Sequence, residues 1–159
     1  MPPVTAQEYR QLMAHHAETV TVITTRTPLG QLAGLTATAF CSLSVDPPTV
    51  LFCLGKNGSS APAFEAASGF AVSLLEASQA EMSNLFAQRG GAKFEEMTLE
   101  ESPGGYPLVP GAVGQMECEK LQWMDGGDHW IVTGRVVFAQ QGGGQPLVYH
   151  QSGYTSVKD

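Results

Sequence analysis

The sequence predicts an all-β barrel with small helical insertions, and three observations support this fold class. Six or seven runs have the two-residue apolar period or the β-branched content of strands. The first strands follow one another through a hairpin and a tight proline turn, which favours antiparallel pairing. Helical spacing is confined to short stretches, and neither G-x-G-x-x-G nor G-x-x-x-x-G-K-[ST] is present, so a βαβ nucleotide fold is not expected.

Composition limits the classes of protein to consider. The chain has 159 residues, and we expect one domain over residues 1–159. Apolar residues make up 43% and charged residues 14%, which indicates that some surface is buried in an oligomer. The net charge of −7, without a run of Lys or Arg, argues against a nucleic-acid partner. No membrane-length apolar segment and no signal pattern are visible, so we expect a cytoplasmic protein with no membrane partner.

Local signals define the elements of the first half of the chain. Thr5-Ala6-Gln7-Glu8 is a capping box, so a helix is expected from there to about residue 16. Strands are expected at 20–26, 33–45 and 50–54. Asp46-Pro47-Pro48 separates the last two, because Asp bonds its own backbone and Pro fixes φ. The run 50–54 is continuously apolar, which predicts a strand buried on both faces.

The second half alternates helical and strand signals. Ser59 or Ser60 is expected to cap a helix to about residue 67. Ser78-Gln79-Ala80-Glu81 has the pattern of a second capping box, opening a helix that ends before Gly90. Strands are expected at 69–75, 113–123, 129–140 and 146–150, and the Pro- and Gly-containing stretch 98–110 is expected to be irregular.

Two loops carry positive charge beside small residues. Gly55-Lys56-Asn57-Gly58-Ser59-Ser60 leads into an expected helix, and its lysine, its serines and the helix N–H groups together suggest an anion site. The alternative is ordinary loop and cap chemistry. Arg89-Gly90-Gly91-Ala92-Lys93-Phe94 is either a mobile lid or a solvated linker.

His129 is the histidine best placed for chemistry. It begins a long strand after Gly126-Gly127-Asp128, at the mouth of the expected barrel, where ligands are usually held. A neutral imidazole there can contact a cofactor or donate a proton near pH 7. The alternative is a hydrogen-bonded residue at a strand end. In a regular strand Asp128 points to the opposite face, so it is not expected to orient His129.

Other chemistries have little support in the sequence. No serine lies in G-x-S-x-G, no pair of catalytic carboxylates is visible, and the histidines lack ligand spacing, so no metal site is expected. Cys41, Cys53 and Cys118 are too widely spaced for a disulfide framework or a zinc site, and we expect small buried hydrophobes. What remains is chemistry that a cofactor brings and the protein positions.

Segments along the whole chain form an ordered set. They are residues 34–40, 43–54, 69–75, 85–87, 93–94, 107–108, 117–118, 127–129, 134–136, 146–149 and 153–154. In this order they resemble the flavin reductase-like, FMN-binding split-barrel family. They look most like the short-chain reductase components of two-component flavin-dependent monooxygenases. The resemblance implies a six-stranded antiparallel split barrel with short peripheral helices, a homodimer, and FMN or FAD near the dimer interface.

The resemblance also implies roles for individual positions. The flavin ring is flanked by the strand Thr36-Ala37-Thr38 and by the strand end Cys53-Leu54-Gly55. The loop residues expected to hold the phosphate are Lys56, Asn57, Ser59 and Ser60. The residues expected on the phosphate or adenylate side are Arg89, Lys93 and Phe94. His129 is expected close to the flavin and the nicotinamide, with Tyr154 near the same site.

The implied reaction is the reduction of FMN or FAD by NADH or NADPH. The nicotinamide stacks on the flavin and passes a hydride to N5, and the reduced flavin leaves for a partner monooxygenase. His129 would help to seat the nicotinamide. Two alternatives remain: a non-catalytic flavin- or haem-binding module, and a flavin-dependent oxidase acting on its own substrate. The short chain argues against the second.

Overall fold

Short strands and a few helical turns form the protein in a computed structural model that describes residues 2–158. The strands are β1 (Glu18–Thr19), β2 (Thr21–Arg26), β3 (Leu32–Ala37), β4 (Phe40–Val45), β5 (Pro48–Gly55), β6 (Gly69–Leu74), β7 (Glu100–Glu101), β8 (Pro107–Leu108), β9 (Gly114–Asp125), β10 (His129–Gln141), β11 (Leu147–His150) and β12 (Gly153–Ser156). The helices are α1 (Ala6–Met13), α2 (Ala61–Ala66) and α3 (Ala80–Ala87), and a 3₁₀ turn spans Ala92–Phe94. The predicted class, mostly β with short helices, is confirmed.

A seven-stranded antiparallel sheet is the main body, in the order β3-β2-β6-β9-β10-β5-β4. A smaller sheet, β1-β11-β12, is joined to it through Val20. The Val20 N–H donates to Leu147 and the Val20 carbonyl accepts from Leu75, at 2.9 and 3.0 Å. In residues 2–158, no helix has the length and apolarity needed to cross a bilayer.

The main sheet has seven strands, whereas the resemblance implies six, because the single strand predicted at 33–45 is divided in two. The Phe40 N–H donates to the Thr38 carbonyl at 2.8 Å, a three-residue turn that ends β3. Beyond it, β4 pairs with β5, whereas β3 pairs with β2. The two edge strands of the sheet are therefore consecutive in the chain, and the Ala39 carbonyl between them accepts from Cys53 on β5 at 2.9 Å.

The strand β5 is buried on one face only, which corrects the prediction of burial on both. Val50, Phe52 and Leu54 are buried, while Leu51 and Cys53 between them remain half-exposed. Phe52 packs edge-on against Phe64 and Phe70, with ring centroids 5.6 and 5.0 Å apart. The exposed face of β5 is therefore available to line a cavity.

The predicted capping boxes differ in outcome. Thr5 and Glu8 form the first one as expected, although α1 ends at Met13. The second is wrong, because the Ser78 hydroxyl donates to Glu76 and the N-cap of α3 is Gln79, without a side-chain hydrogen bond. A nearer acceptor on Glu76 competes with the helix end for the serine.

Gly134 is the position where the packing of the main sheet is most easily tested. A β-carbon there would lie 2.5 Å from the Phe70 ring and 2.8 Å from the Cys118 β-carbon. Gly134→Ala should therefore lower the free energy of unfolding by about 1–3 kcal/mol, measured by urea denaturation. Gly143→Ala is the matched control, because its β-carbon would meet nothing within 4 Å. Equal stabilities of the two variants would contradict this account.

Candidate functional site

A cavity of about 250 Å³, the β3 pocket, lies where β3, β5 and the end of α3 meet. The site residues predicted from sequence that line it are Thr36, Leu54, Gly55, Ser59, Ser60, Arg89 and Lys93. They come from segments far apart in the chain. The fold therefore brings together the two positively charged loops singled out from the sequence.

Lys93 is 5% exposed, and its ammonium group is held entirely by backbone oxygens. It donates to the carbonyls of Gly34, Phe86 and Gln88 at 2.8, 3.2 and 2.8 Å. These bonds use all three ammonium protons. No carboxylate among residues 2–158 forms an ion pair with it. Burial lowers the pKa of Lys93. The residue therefore gives the pocket positive charge, but it has no N–H free for a ligand.

Arg89 and Ser59 provide the free donors of the β3 pocket. Both are exposed, and neither makes a hydrogen bond or ion pair with any residue that the structure describes. The other two hydroxyls are already engaged. Ser60 donates to the Gly34 carbonyl at 3.0 Å, and Thr36 donates to the Ser83 carbonyl at 2.5 Å. An anion in this pocket would therefore meet Arg89 and Ser59.

The helix after the loop contributes less to the site than predicted. Ser60 occupies the N-cap of α2, but its side chain makes no capping bond. The Ala61 N–H is turned back to the Gly58 carbonyl at 3.3 Å. Lys56 is also engaged, because its ammonium donates to Asp125 at 2.8 Å and lies 4.4 Å from the centre of the Trp130 ring. The hydrogen bond from Lys56 lowers the pKa of Asp125.

His129 does not line the β3 pocket, but it lies opposite Gly55, a lining residue, in the β5–β10 register. A β-carbon at Gly55 would lie 3.8 Å from His129 Nε2, so the imidazole covers the Gly55 backbone. The expectation about Asp128 is wrong: its Oδ1 lies 2.7 Å from His129 Nδ1. Asp128 precedes the strand, so strand alternation does not set its direction. This hydrogen bond lowers the pKa of Asp128.

The contact with Asp128 also determines which imidazole nitrogen is available. In the neutral ring, Nδ1 carries the proton that the carboxylate accepts. Nε2 is then unprotonated on the side of Gly55. The side chain of His129 is 48% exposed, so a ligand can reach it.

A separate cavity of about 460 Å³, the β1 pocket, lies on the exposed face of β5. The predicted residues Thr38 and Cys53 line it, together with Cys41. Cys41 is exposed, which corrects the expectation that all three thiols are buried. Burial is the main cause that raises the pKa of Cys53, and it raises that of Cys118 to about 12. These two thiols are protonated at neutral pH and are poor nucleophiles.

Besides Lys56 and His129, four further predicted residues line neither cavity. Asn57 is exposed in the loop, and Ala37 is 7% exposed in the main core. Phe94 packs edge-on against Phe86, at 5.4 Å between centroids. The Tyr154 hydroxyl is bonded to Ser83 and Asn84 of α3 at 2.9 and 2.8 Å. Phe94 and Tyr154 thus support α3 instead of lining the β3 pocket.

Sequence reasoning missed three contributors to the site. The Gly34 carbonyl accepts from both Ser60 and Lys93, and a β-carbon at Gly34 would lie 2.9 Å from the Phe86 ring. A glycine within a strand was the available signal for such a close approach. Phe86 was assigned only to the core, and Asp128 was set aside by the assumption of a regular strand.

The arrangement suits binding of an anionic ligand more than acid–base or nucleophilic catalysis. Within residues 2–158, the guanidinium and the hydroxyl of the β3 pocket have no protein partner, and its buried ammonium has no counter-charge. A phosphorylated ligand fits this set of donors. Among the described residues, no three His, Cys, Asp or Glu side chains are grouped as metal ligands.

Comparison with known proteins identifies the class. Residues 13–158 match the family described as flavin reductase like domain, and the chain belongs to this family. It is 36% identical over 144 residues to an FMN reductase (NADH) of Agrobacterium fabrum, covering 91% of this chain and 82% of the relative. It is 39% identical over 150 residues to the 4-hydroxyphenylacetate 3-monooxygenase reductase component of Thermus thermophilus, covering 93% and 94%.

Solved structures agree with this assignment. The NADH:FAD oxidoreductase of Streptomyces globisporus C-1027, in complex with NAD and FAD fragments, superposes with a TM-score of 0.90 at 29% identity. The superposition covers 99% of this chain and 98% of the other. Its fold is thus shared over nearly the whole length.

Replacing Lys93 or Arg89 by an uncharged residue should change the free energy of unfolding by different amounts. Lys93→Met leaves three buried carbonyl groups without a donor and should lower the free energy of unfolding by about 1–3 kcal/mol or more. Arg89→Met removes an exposed, unpaired side chain and should change it by about 0.5 kcal/mol or less. Urea denaturation of both variants measures the difference. A Lys93 variant as stable as the Arg89 variant would show that the buried ammonium is dispensable.

Proposed function

We propose that this protein is an NADH-dependent flavin reductase that supplies reduced flavin to a partner flavin-dependent monooxygenase. The observation that carries the proposal is the β3 pocket, cationic and with free donors, in a member of the flavin reductase-like family. Relatives named FMN reductase (NADH) and monooxygenase reductase component support the reductant and the partner. NADPH remains the alternative reductant.

The residues around the β3 pocket are assigned different roles in binding the flavin. We assign the flavin phosphate to Arg89 and Ser59, with Asn57, Lys56 and Ser60 completing the loop. Lys93 holds β3 against α3 and contributes charge. Phe94 and Tyr154 support α3.

The flavin ring is assigned to the backbone of Thr36-Ala37-Thr38 and of Cys53-Leu54-Gly55. These two segments connect the β3 pocket with the β1 pocket, because Thr36, Leu54 and Gly55 line the first and Thr38 and Cys53 line the second. When bound, the flavin supplies the redox chemistry, in which its N5 takes a hydride from reduced nicotinamide.

His129 is assigned to seating the nicotinamide. Its ring is held by Asp128 through Nδ1, which leaves Nε2 as an acceptor beside Gly55. An amide substituent is a suitable donor to that nitrogen. The residue therefore acts by orientation, which brings the two rings into reacting distance.

We also propose the split-barrel arrangement and the homodimer. The barrel is supported by the two-residue link between β3 and β4. Because the link is short, β3 and β4 can act as one bent strand, which leaves six strands around the barrel.

The dimer is supported by apolar side chains of α1: Tyr9, Leu12 and Met13 are 57%, 69% and 39% exposed. The cytoplasmic location and the single domain over residues 1–159 stay predictions from the sequence.

The deciding experiment is an absorbance assay of nicotinamide oxidation. Purified protein is mixed with NADH or NADPH and with excess FMN, FAD or riboflavin, and loss of reduced nicotinamide is followed. Rapid NADH oxidation that depends on added flavin supports the proposal and identifies the preferred flavin. Flavin binding without oxidation of either nucleotide would instead indicate a non-catalytic binding protein.

His129→Ala should slow NADH-dependent turnover while flavin affinity is nearly kept. Loss of one hydrogen bond to the nicotinamide should raise KM for NADH on the order of five- to tenfold. Steady-state kinetics and flavin titration measure the two effects. His15→Ala is the control, because His15 is exposed after the end of α1 and lines neither pocket. Kinetics unchanged from the parent protein would remove His129 from the site.

Leu12→Glu should convert the dimer to a monomer, because the substitution places a charge in the apolar face of α1. Sedimentation velocity measures the mass. Gln11→Glu adds the same charge on the opposite face of the helix and should leave the dimer intact. A parent protein that sediments as a monomer would refute the assembly.

A further inference from the structure

The turn that carries Asp128 and His129 has little packing to hold it. The Asp128 side chain is 92% exposed and that of His129 is 48% exposed. Two consecutive glycines, Gly126 and Gly127, precede them, and Gly127 has a φ of +94°. Because glycine restricts the backbone less than any other residue, hydrogen bonds must fix this segment. The orientation of the His129 ring therefore depends on what holds residues 125–129, the β9–β10 turn.

The carboxylate of Asp125 closes the β9–β10 turn. Its Oδ1 accepts from the Gly127 N–H at 2.8 Å, and its Oδ2 accepts from the Lys56 ammonium, also at 2.8 Å. The Gly126 N–H donates to the His129 carbonyl at 2.9 Å. One carboxylate thus joins the second glycine of the turn to a lysine that lies 69 residues away in the sequence.

Lys56 holds the β9–β10 turn by its backbone as well as by its side chain. Its N–H donates to the Asp128 carbonyl at 3.0 Å, next to the ion pair with Asp125. The ammonium lies 4.4 Å from the centre of the Trp130 ring, and the side chain is only 28% exposed. The hydrogen bond with His129 is the main cause that lowers the pKa of Asp128, and the charge of Lys56 contributes to it. Lys56 therefore acts on both carboxylates of the turn.

The same lysine belongs to the loop that leads to Ser59. The Gly58 N–H donates to the Gly55 carbonyl at 3.0 Å and closes a turn that contains Lys56. Gly55 also lies opposite His129 in the β5–β10 register. Lys56 thus connects two parts of the site, the loop with the free Ser59 hydroxyl and the turn with His129.

We propose that Lys56 is a positioning residue, which holds the β9–β10 turn so that His129 presents Nε2 to the nicotinamide. This role rests on the proposed function in one respect, that reduced nicotinamide meets His129. It replaces the phosphate contact that the resemblance implies for Lys56, because the ammonium is already bound to Asp125. Without this ion pair the turn opens more often, and fewer molecules have the imidazole in place for the incoming ring.

The kinetic test removes either partner of the ion pair. Lys56→Met removes the charge but keeps a flexible side chain of similar length, and Asp125→Asn keeps an oxygen for the Gly127 N–H. Each should raise KM for NADH on the order of three- to fivefold, with kcat and the FMN dissociation constant changed by less than about twofold. The double variant should be no worse than the poorer single variant, because both changes break the same contact.

Two further variants control for charge. Lys56→Arg should keep KM for NADH within about twofold of the parent value, because a guanidinium can donate to the same carboxylate. Lys158→Met removes one positive charge at an exposed position that lines neither the β3 pocket nor the β1 pocket, and should leave KM unchanged. If Lys56→Met weakens FMN binding and leaves riboflavin binding unchanged, Lys56 is a phosphate ligand and the proposal is wrong.

A measurement without flavin or NADH separates this role from the proposed function. Nitrogen NMR at about pH 8.5, where imidazole is neutral, reports which ring nitrogen carries the proton, and the spectrum of His129→Ala assigns the signals. In the parent protein and in Lys56→Arg, His129 should be protonated at Nδ1. Lys56→Met and Asp125→Asn should give a mixture of the two tautomers, because the contact with Asp128 is made less often.

The two measurements together distinguish the possible failures. Parent-like tautomer signals in Lys56→Met, or a KM for NADH equal to that of Lys158→Met, would overturn the role of Lys56. If the tautomers change as expected but no flavin supports NADH oxidation, the proposed function fails and the effect of Lys56 on His129 stands. Rapid flavin-dependent NADH oxidation with equal KM in all variants gives the reverse result.

Discussion

The three hydrogen bonds of the buried Lys93 ammonium are the interaction on which the candidate site depends most. They join β3 at Gly34, the end of α3 at Phe86 and the following residue, Gln88. A buried charge is tolerated only when polar groups replace its hydration, and here backbone dipoles do so without a carboxylate. The same contacts thus fix the wall of the β3 pocket and leave its positive charge available to an anion.

The division of the predicted strand at Ala39 determines which elements lie beside the wall of the β3 pocket. Because β3 and β4 pair with different neighbours, β5 comes close to the end of β3, and the half-exposed face of β5 lines a cavity instead of the core. The register of β10 then sets His129 opposite Gly55. The β3 pocket is thus formed where β3 meets the end of β5, and the β1 pocket follows it beyond the end of β3.

Sequence patterns predicted most elements but not all of their contacts. The strand periods, the first capping box and the turn at Asp46 depend on neighbours in sequence, and the structure has them. The second capping box failed because Glu76 offers Ser78 a closer acceptor. The orientation of Asp128 was wrong because the residue precedes the strand whose alternation was used to place it. Both of these errors concern a side chain that had more than one possible partner nearby.

The sequence alone determined the mostly β class and the two cationic glycine-containing loops, because residue type and short-range spacing specify these features. It also predicted a role for His129 at the start of a long strand, which is where the structure places this residue. Tertiary structure decided which charges are free. Lys56 is paired with Asp125 and Lys93 with backbone carbonyls, whereas Arg89 has no partner among the described residues. These partners lie up to 69 residues apart, and only the folded sheet brings them within hydrogen-bond distance.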